Sequence, residues 1–222
     1  MREVRAVIVI GDDIEERSGG PVSRARLRAL AAALDDALPR GRLAGFSVGG
    51  GRLVGILAPE ADPIRALIAG ALVGDDAPHV RWALVEGVLD PGRGGIARRA
   101  ERLLVEARRS VELARTRRDR LIVRTGDEGA DRLLDGIAPL LIDLLDDLSD
   151  RQRVVARLLL VDGLRQADVA DALAVSRATI SVMVGRGRIR SIERLAGAVR
   201  AVVLAARQAA AEVGPAGESI AR

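Results

Sequence analysis

The chain has 222 residues, of which 49% are hydrophobic, and its formal net charge is +4. This length and apolar content suit one medium-sized domain plus a smaller one. The chain has no cysteine and a single histidine, which excludes disulfides, thiolate metal sites and a histidine-based zinc site.

The chain has no recognisable targeting or membrane-spanning segment. After Arg2, Glu3 and Arg5 comes only a short apolar run over residues 6–10, which is shorter than the hydrophobic region of a signal peptide. No window approaches the roughly 20 apolar residues of a transmembrane helix. We therefore expect a cytoplasmic protein without a membrane partner.

The first 126 residues alternate strand and helix signals, which predicts a layered α/β domain. The predicted elements are a strand over residues 4–10, a helix over 23–38, strands over 43–48 and 53–57, a helix from 62 to about 71, a strand over 80–85, a helix from 96 to about 113 and a strand over 121–124. Three consecutive glycines at 49–51 predict a hairpin turn, which favours positive φ. Their amides can also form a phosphate site, but the hairpin explains the same residues more simply.

Two carboxylates, Asp12 and Asp13, follow the first predicted strand in a predicted loop. Such a pair can bind Mg²⁺, with or without a nucleotide. Strand-to-helix loops are also rich in aspartate because this residue caps helices and stabilises turns. Both interpretations stay open, and no other cofactor is expected.

An acidic helix over residues 130–148 connects the two parts of the chain. Its leucines recur at helical spacing, and Pro139 is expected to kink or split it. The connecting segment 127–148 is not rich in proline or serine, so we expect the α/β domain (1–126) to be docked on the C-terminal domain (149–213). The tail, residues 214–222, is predicted to be disordered.

Residues 148–195 predict a helix-turn-helix. Ser149 caps a helix that ends at Gly163, a second helix covers residues 166–173, and residues 174–176 form the turn. Ser176 then caps a third helix with a polar face. Two short helices, a three- to four-residue turn and a polar third helix are what insertion into the DNA major groove requires.

The positive charge of the chain is concentrated in this part. Residues 149–222 contain 12 arginines against 7 acids, whereas residues 1–148 contain 23 against 24. Base readout is predicted for Arg177, Thr179 and Ser181, and phosphate contact for Arg186, Arg188 and Arg190. Gln166 and Ser176 complete the predicted DNA-binding set. Two alternatives remain: a solvated arginine-rich helix face, or a three-helix unit that binds protein.

Apolar residues recur at three- and four-residue steps from Ile189 to Ala206. This stripe predicts a long helix that either dimerises the protein or packs on its N-terminal domain. A homodimer is expected.

Over roughly 50 residues the C-terminal part resembles sigma factor region 4 and LuxR-type output domains. The matching pieces are Leu-Ser at 148–149, Gly-Leu at 163–164, Val-Ala at 169–170 and VSRATIS at 175–181. The resemblance implies that Ile180 and Val184 lie in the core. It also implies that Arg177, Thr179, Ser181 and Arg186 face DNA. The residue types at these positions predict the same role.

The N-terminal part resembles the SatD family, in which a domain related to the palm of class III nucleotidyl cyclases precedes a helix-turn-helix. The matching pieces are VIVIGD at 7–12, Arg-Ser at 17–18, Asp-Pro at 90–91 and IARRA at 96–100. The resemblance implies an α+β, ferredoxin-like domain followed by an all-α domain. Palm cyclases hold two divalent cations with carboxylates after the first strand and at the central hairpin. Here the hairpin reads SVGGGR, without a carboxylate, so cyclase catalysis is not expected.

The expected function is that of a DNA-binding transcriptional regulator whose N-terminal domain senses a ligand or mediates assembly. Its main partner would be double-stranded DNA. One alternative is a metal-dependent nucleotide-binding or cyclase-like enzyme that uses Asp12 and Asp13. The other is an adaptor that binds RNA polymerase through the same helices.

Overall fold

A computed structural model of the protein describes residues 4–14, 21–38, 40–73, 79–91 and 94–213. Its N-terminal half combines a sheet with helices, in the predicted order. The elements are β1 (Arg5–Asp13), α1 (Pro21–Ala37), β2 (Arg42–Gly49), β3 (Arg52–Leu57), α2 (Pro63–Ala71), β4 (Val80–Val88), α3 (Ile96–Arg99), α4 (Glu101–Arg117) and β5 (Leu121–Arg124).

The five strands form one mixed sheet in the order β2-β3-β1-β4-β5. All neighbouring pairs are antiparallel except β4 and β5, which are parallel. Because side chains alternate along a strand, even-numbered residues of β1 pack towards α4 and odd-numbered ones towards α1 and α2. The sheet is therefore covered on both faces, as a mixed α/β architecture requires.

The first strand is longer than predicted, and the predicted loop at 11–13 is wrong. β1 continues through Asp13, paired with β4 as far as Val80. A Cβ on Gly11 would lie 2.7 Å from Cγ1 of Val80 and 3.1 Å from Cζ3 of the Trp82 side chain. Gly11 therefore makes room for an indole within the sheet, which explains a glycine that otherwise indicates a turn.

The single helix predicted from residue 96 is also wrong, since α3 and α4 are separated at Ala100. The backbone N–H of Asp90 donates to the Arg99 carbonyl at 2.8 Å, and the Arg99 side chain donates back to the Asp90 carbonyl at 3.0 Å. This pairing engages the Arg99 carbonyl with a residue outside the two helices, directly before the break. The break thus has a tertiary cause.

The C-terminal part is helical throughout its described length. Its elements are α5 (Glu128–Asp146), α6 (Asp150–Leu160), α7 (Gln166–Ala172), α8 (Arg177–Arg186) and α9 (Ile189–Val213). α5 continues through Pro139 without a break, so the helix is not split there, and the neighbouring residues Ala138 and Leu141 are buried in the core.

One continuous hydrophobic core joins the sheet, on its α1 and α2 side, to the C-terminal helices. The apolar stripe of α9 contributes to this core, with Ile192 and Val199 fully buried. The stripe therefore packs within the chain, which is one of the two arrangements predicted for it. In the described part of the chain, no helix is long and apolar enough to cross a membrane.

Candidate nucleic-acid interface

α7, a short turn and α8 form the unit on which the predicted DNA-binding residues lie. Ser176 is the N-cap of α8, and its hydroxyl accepts a hydrogen bond from the backbone N–H of Thr179 at 3.0 Å. Ala174 adopts a φ of 51°, and the N–H of Val175 donates back to the Ala170 carbonyl at 3.0 Å. The predicted cap and turn are confirmed.

The orientation of α8 is fixed by its inner face. Ile180 is fully buried and Val184 is 4% exposed, and both belong to the core that also contains Val169 of α7 and Val155 of α6. α8 packs against α6, α7 and α9. Because the inner face is held in this way, the opposite side of the helix must face solvent.

The predicted readout residues differ in their surroundings. Arg177 and Ser181 are exposed, one turn apart on the same side of α8. Thr179 is only half-exposed, and its hydroxyl shares a 2.8 Å hydrogen bond with the Ser176 hydroxyl. Both hydroxyls are thus engaged at the helix N-terminus, which leaves Arg177 and Ser181 as the better-placed pair.

The predicted phosphate-contacting residues lie at the far end of the same helix. Arg186 ends α8, Arg188 lies in the turn before α9, and Arg190 is in the first turn of α9; all three are exposed. Gln166, half-buried, begins α7. Within the described part of the chain, none of the ion pairs involves Arg177, Arg186, Arg188 or Arg190. Their charge is therefore available to a polyanion.

Sequence reasoning did not identify the residues at the centre of this outer face. With 100° per residue, Ala178, Val182 and Gly185 lie opposite the buried Ile180 and Val184, and all three are exposed. Ala178 and Val182 are four residues apart and therefore lie on one side of a helix, and this spacing is the sequence signal for an apolar outer face.

A groove of about 500 Å³ runs between the outer side of α8 and the start of α6. Val182 and Arg186 line it from α8, and Arg151 and Gln152 line it from α6. The Gln152 side chain accepts from the Ser149 backbone N–H at 2.9 Å, which caps α6. Arg151 is exposed and adds a cation to the interface that the sequence analysis had not included.

The two candidate metal ligands lie in β1, not in a loop, and on opposite faces of the sheet. On the α4 face, the Asp12 carboxylate pairs with Arg115 and lies 3.7 Å from the Arg52 guanidinium. On the other face, Asp13 accepts a 2.7 Å hydrogen bond from the Ser23 hydroxyl. The two carboxylates therefore do not face one ion together.

Cations surround Asp12 on the neighbouring strands as well as on α4. Arg52 of β3 and Arg81 of β4 are the residues directly opposite it. Burial, followed by the charge of Arg115, lowers the pKa of Arg81 from its ordinary value. Among the described residues, no group of three acidic, histidine or cysteine side chains is arranged to hold a metal ion. Guanidinium groups thus occupy the position in which a divalent cation would neutralise Asp12.

No protein-family model matches the chain, and no curated protein matches it. Among solved structures it is similar to the crystal structure of a regulator of polyketide synthase expression from Bifidobacterium adolescentis, with 16% sequence identity and a TM-score of 0.34. The match covers 93% of this chain and 81% of that one. Likeness at this level assigns neither a family nor a function. Any functional proposal must therefore be based on the chain's own residues.

Proposed function

We propose that the protein is a sequence-specific DNA-binding transcriptional regulator whose N-terminal domain senses a ligand or mediates assembly. The observation that carries the proposal is the exposed face of α8. It begins at a capped turn, its opposite side is buried, and it presents Arg177, Ser181 and Arg186 to solvent. A short helix fixed in this way, with cations at both ends, is suited to enter a major groove.

The resemblances of the sequence support the same function. Likeness to sigma factor region 4 and LuxR-type domains implies a buried Ile180 and Val184, and both side chains are buried. Likeness to the SatD family implies a ferredoxin-like palm. The order β2-β3-β1-β4, with antiparallel neighbours, is that of a split βαβ fold and supports this assignment.

Phosphate contact and base readout would fall to different residues. Arg186, Arg188 and Arg190 lie beyond the middle of α8 and would neutralise phosphates. Arg177, exposed at the first position of α8, and Ser181, exposed at the side of its outer face, would reach base edges, where arginine pairs with guanine and serine bonds to several bases. Two copies on inverted half-sites would double the contacts, which is the role we propose for a homodimer.

The test is duplex binding by the full chain, measured by fluorescence anisotropy across a salt series. We expect Arg186→Gln and Arg190→Gln each to weaken binding to every duplex and to reduce the slope of log K against log salt by about 0.9. Arg109→Gln removes one exposed arginine from α4, on the opposite face of the sheet, and is the matched control. Arg177→Ala should instead relax sequence preference.

Absence of duplex binding at low salt would overturn the proposal. Retained binding to RNA polymerase in the same preparation would then favour an adaptor that uses these helices on protein.

For the N-terminal domain we propose binding or assembly without metal-dependent catalysis. Asp12 is held by arginine side chains, and the β2–β3 hairpin offers no second carboxylate. We expect neither Mg²⁺ nor Mn²⁺ to raise the melting temperature, and no turnover of nucleoside triphosphates. Product formation that is lost in Asp12→Asn would favour the enzyme alternative, whereas a thermal shift with a nucleotide alone would favour a sensor.

A further inference from the structure

The centre of the outer face of α8 is apolar, although its edges are basic. Val182 is 50% exposed, whereas Ile180 and Val184 on the inner side are 0% and 4% exposed. A β-branched apolar side chain that is half exposed on the solvent side of a helix gains little packing energy and has a low helix propensity. Val182 therefore contributes nothing to the core that would explain its presence.

Polar residues lie on one side of this apolar centre and at its C-terminal end. Arg177 and Ser181 form one line along the helix, and Ala178, Val182 and Arg186 form the adjoining line, each step being four residues. A helix that enters a groove with this face leading would place Val182 deepest. The arginines at the two ends would then stay beside the phosphates.

One base offers an apolar group at that position. In the major groove thymine presents its 5-methyl group, and apolar side chains such as alanine recognise it by contact. We propose that Val182, with Ala178 beside it, reads thymine methyl groups and thereby contributes to sequence preference. The inference rests on the proposed DNA-binding function. The exposed arginines around Val182 favour DNA over a protein partner as the occupant of this face.

The experiment compares thymine with uracil, which lacks only the methyl group. A duplex is first selected by the full chain from a random-core library and then resynthesised with uracil in place of each thymine in turn. We expect at least one replacement to weaken binding about four-fold, the value of one buried methyl or methylene group. The variant Val182→Ala lacks the two γ-methyl groups that would reach the base from this position of the helix, so it should bind the thymine and uracil duplexes with nearly equal affinity.

Val105→Ala is the matched control, because Val105 is an exposed valine (39%) of α4, on the opposite face of the sheet. This variant should keep the thymine preference of the unchanged protein. Equal binding of thymine and uracil by the unchanged protein, or a preference that survives in Val182→Ala, would overturn the inference while leaving DNA binding in place. If no duplex is selected or bound at low salt, both the inference and the proposed function fail.

Discussion

Arg188 combines backbone strain with a charge at the proposed interface. Its φ is 49°, in the left-handed region that costs a side-chain-bearing residue roughly 1–2 kcal/mol. Glycine has no such cost, although it loses more backbone entropy on folding. Arg188→Gly should therefore leave the melting temperature unchanged or raised, while DNA affinity falls and the salt dependence becomes shallower.

Arg118 provides the control for this variant. It has a φ of 63° after the last residue of α4, distant in sequence from α8. Arg118→Gly relieves the same strain and removes the same charge, and DNA affinity should not change. If the two variants bind DNA equally well, Arg188 has no role in binding.

Two carboxylates of α5 should respond to pH with opposite sign. Partial desolvation, followed by the nearby charge of Asp146, raises the pKa of Asp143 although its side chain is exposed, so its charged form slightly destabilises the fold above that pKa. For Asp135, burial acts to raise the pKa, but hydrogen bonds from Arg124 and Arg117 outweigh it and hold the pKa below its ordinary value. Asp135 therefore stabilises the fold above its unfolded pKa, and this stability is lost as the pH falls through the folded value.

Neutral isosteres measure this difference by thermal denaturation at two pH values. At pH 7 Asp143→Asn should raise the melting temperature and Asp135→Asn should lower it. Both differences should shrink towards pH 3, because Asp143 is then protonated in the fold and the carboxylate of Asp135 is already protonated in the unfolded chain. Shifts of the same sign at pH 7 would contradict the assignment.

Among the elements, α8 contains a glycine whose position favours close approach to a ligand. Gly185 is exposed, and a Cβ added to it would meet no atom within 4 Å. Alanine there should stabilise the helix by about 0.5–1 kcal/mol. If α8 approaches the DNA backbone closely, Gly185→Ala should nevertheless weaken duplex binding. Gly136→Ala in α5, a similarly open site, should stabilise without changing affinity.

Elements governed by local chemistry were predictable, and those governed by distant contacts were not. The Ser176 cap was correctly identified because a side chain bonds its own helix within three residues. Gly163, with a φ of 72°, was correctly identified as the end of a helix. The break at Ala100 depends on Asp90, and the Gly11 position depends on Trp82. Local periodicity contains no information about either partner.

At the scale of the whole molecule, arginines connect the C-terminal helices to the sheet and to α2. Arg153 donates to the Ala71 carbonyl at 2.7 Å, and Arg65 donates to the Val161 carbonyl at 2.8 Å. Arg200 pairs with Asp62 at 2.8 Å. Docking was expected from the sequence because the linker lacks flexible composition. The individual contacts were not predictable, since their partners are 82 to 138 residues apart.

The most deeply placed of these contacts joins α9 to the middle of the sheet. Glu86 of β4 has a side chain that is 3% exposed, and one of its oxygens lies 2.6 Å from Nε of Arg207. Arg5 lies 3.4 Å from the other oxygen. Removing one partner of a buried pair leaves an uncompensated charge, at a cost of about 3–5 kcal/mol. Because Arg5 remains, Arg207→Met should destabilise towards the lower end of that range.

Urea denaturation of three variants tests whether this contact makes the sheet and the C-terminal helices unfold together. Adding Glu86→Gln to Arg207→Met should recover much of the lost stability, since the buried carboxylate is removed and Arg5, whose side chain is 27% exposed, can still be solvated. Arg190→Met, an exposed site on the same helix, should change stability by less than about 0.5 kcal/mol. The shared core predicts a single unfolding transition in every variant. An earlier, separate loss of helix in Arg207→Met would mean that the two parts unfold independently, and that a ligand on the sheet has no rigid connection to α8.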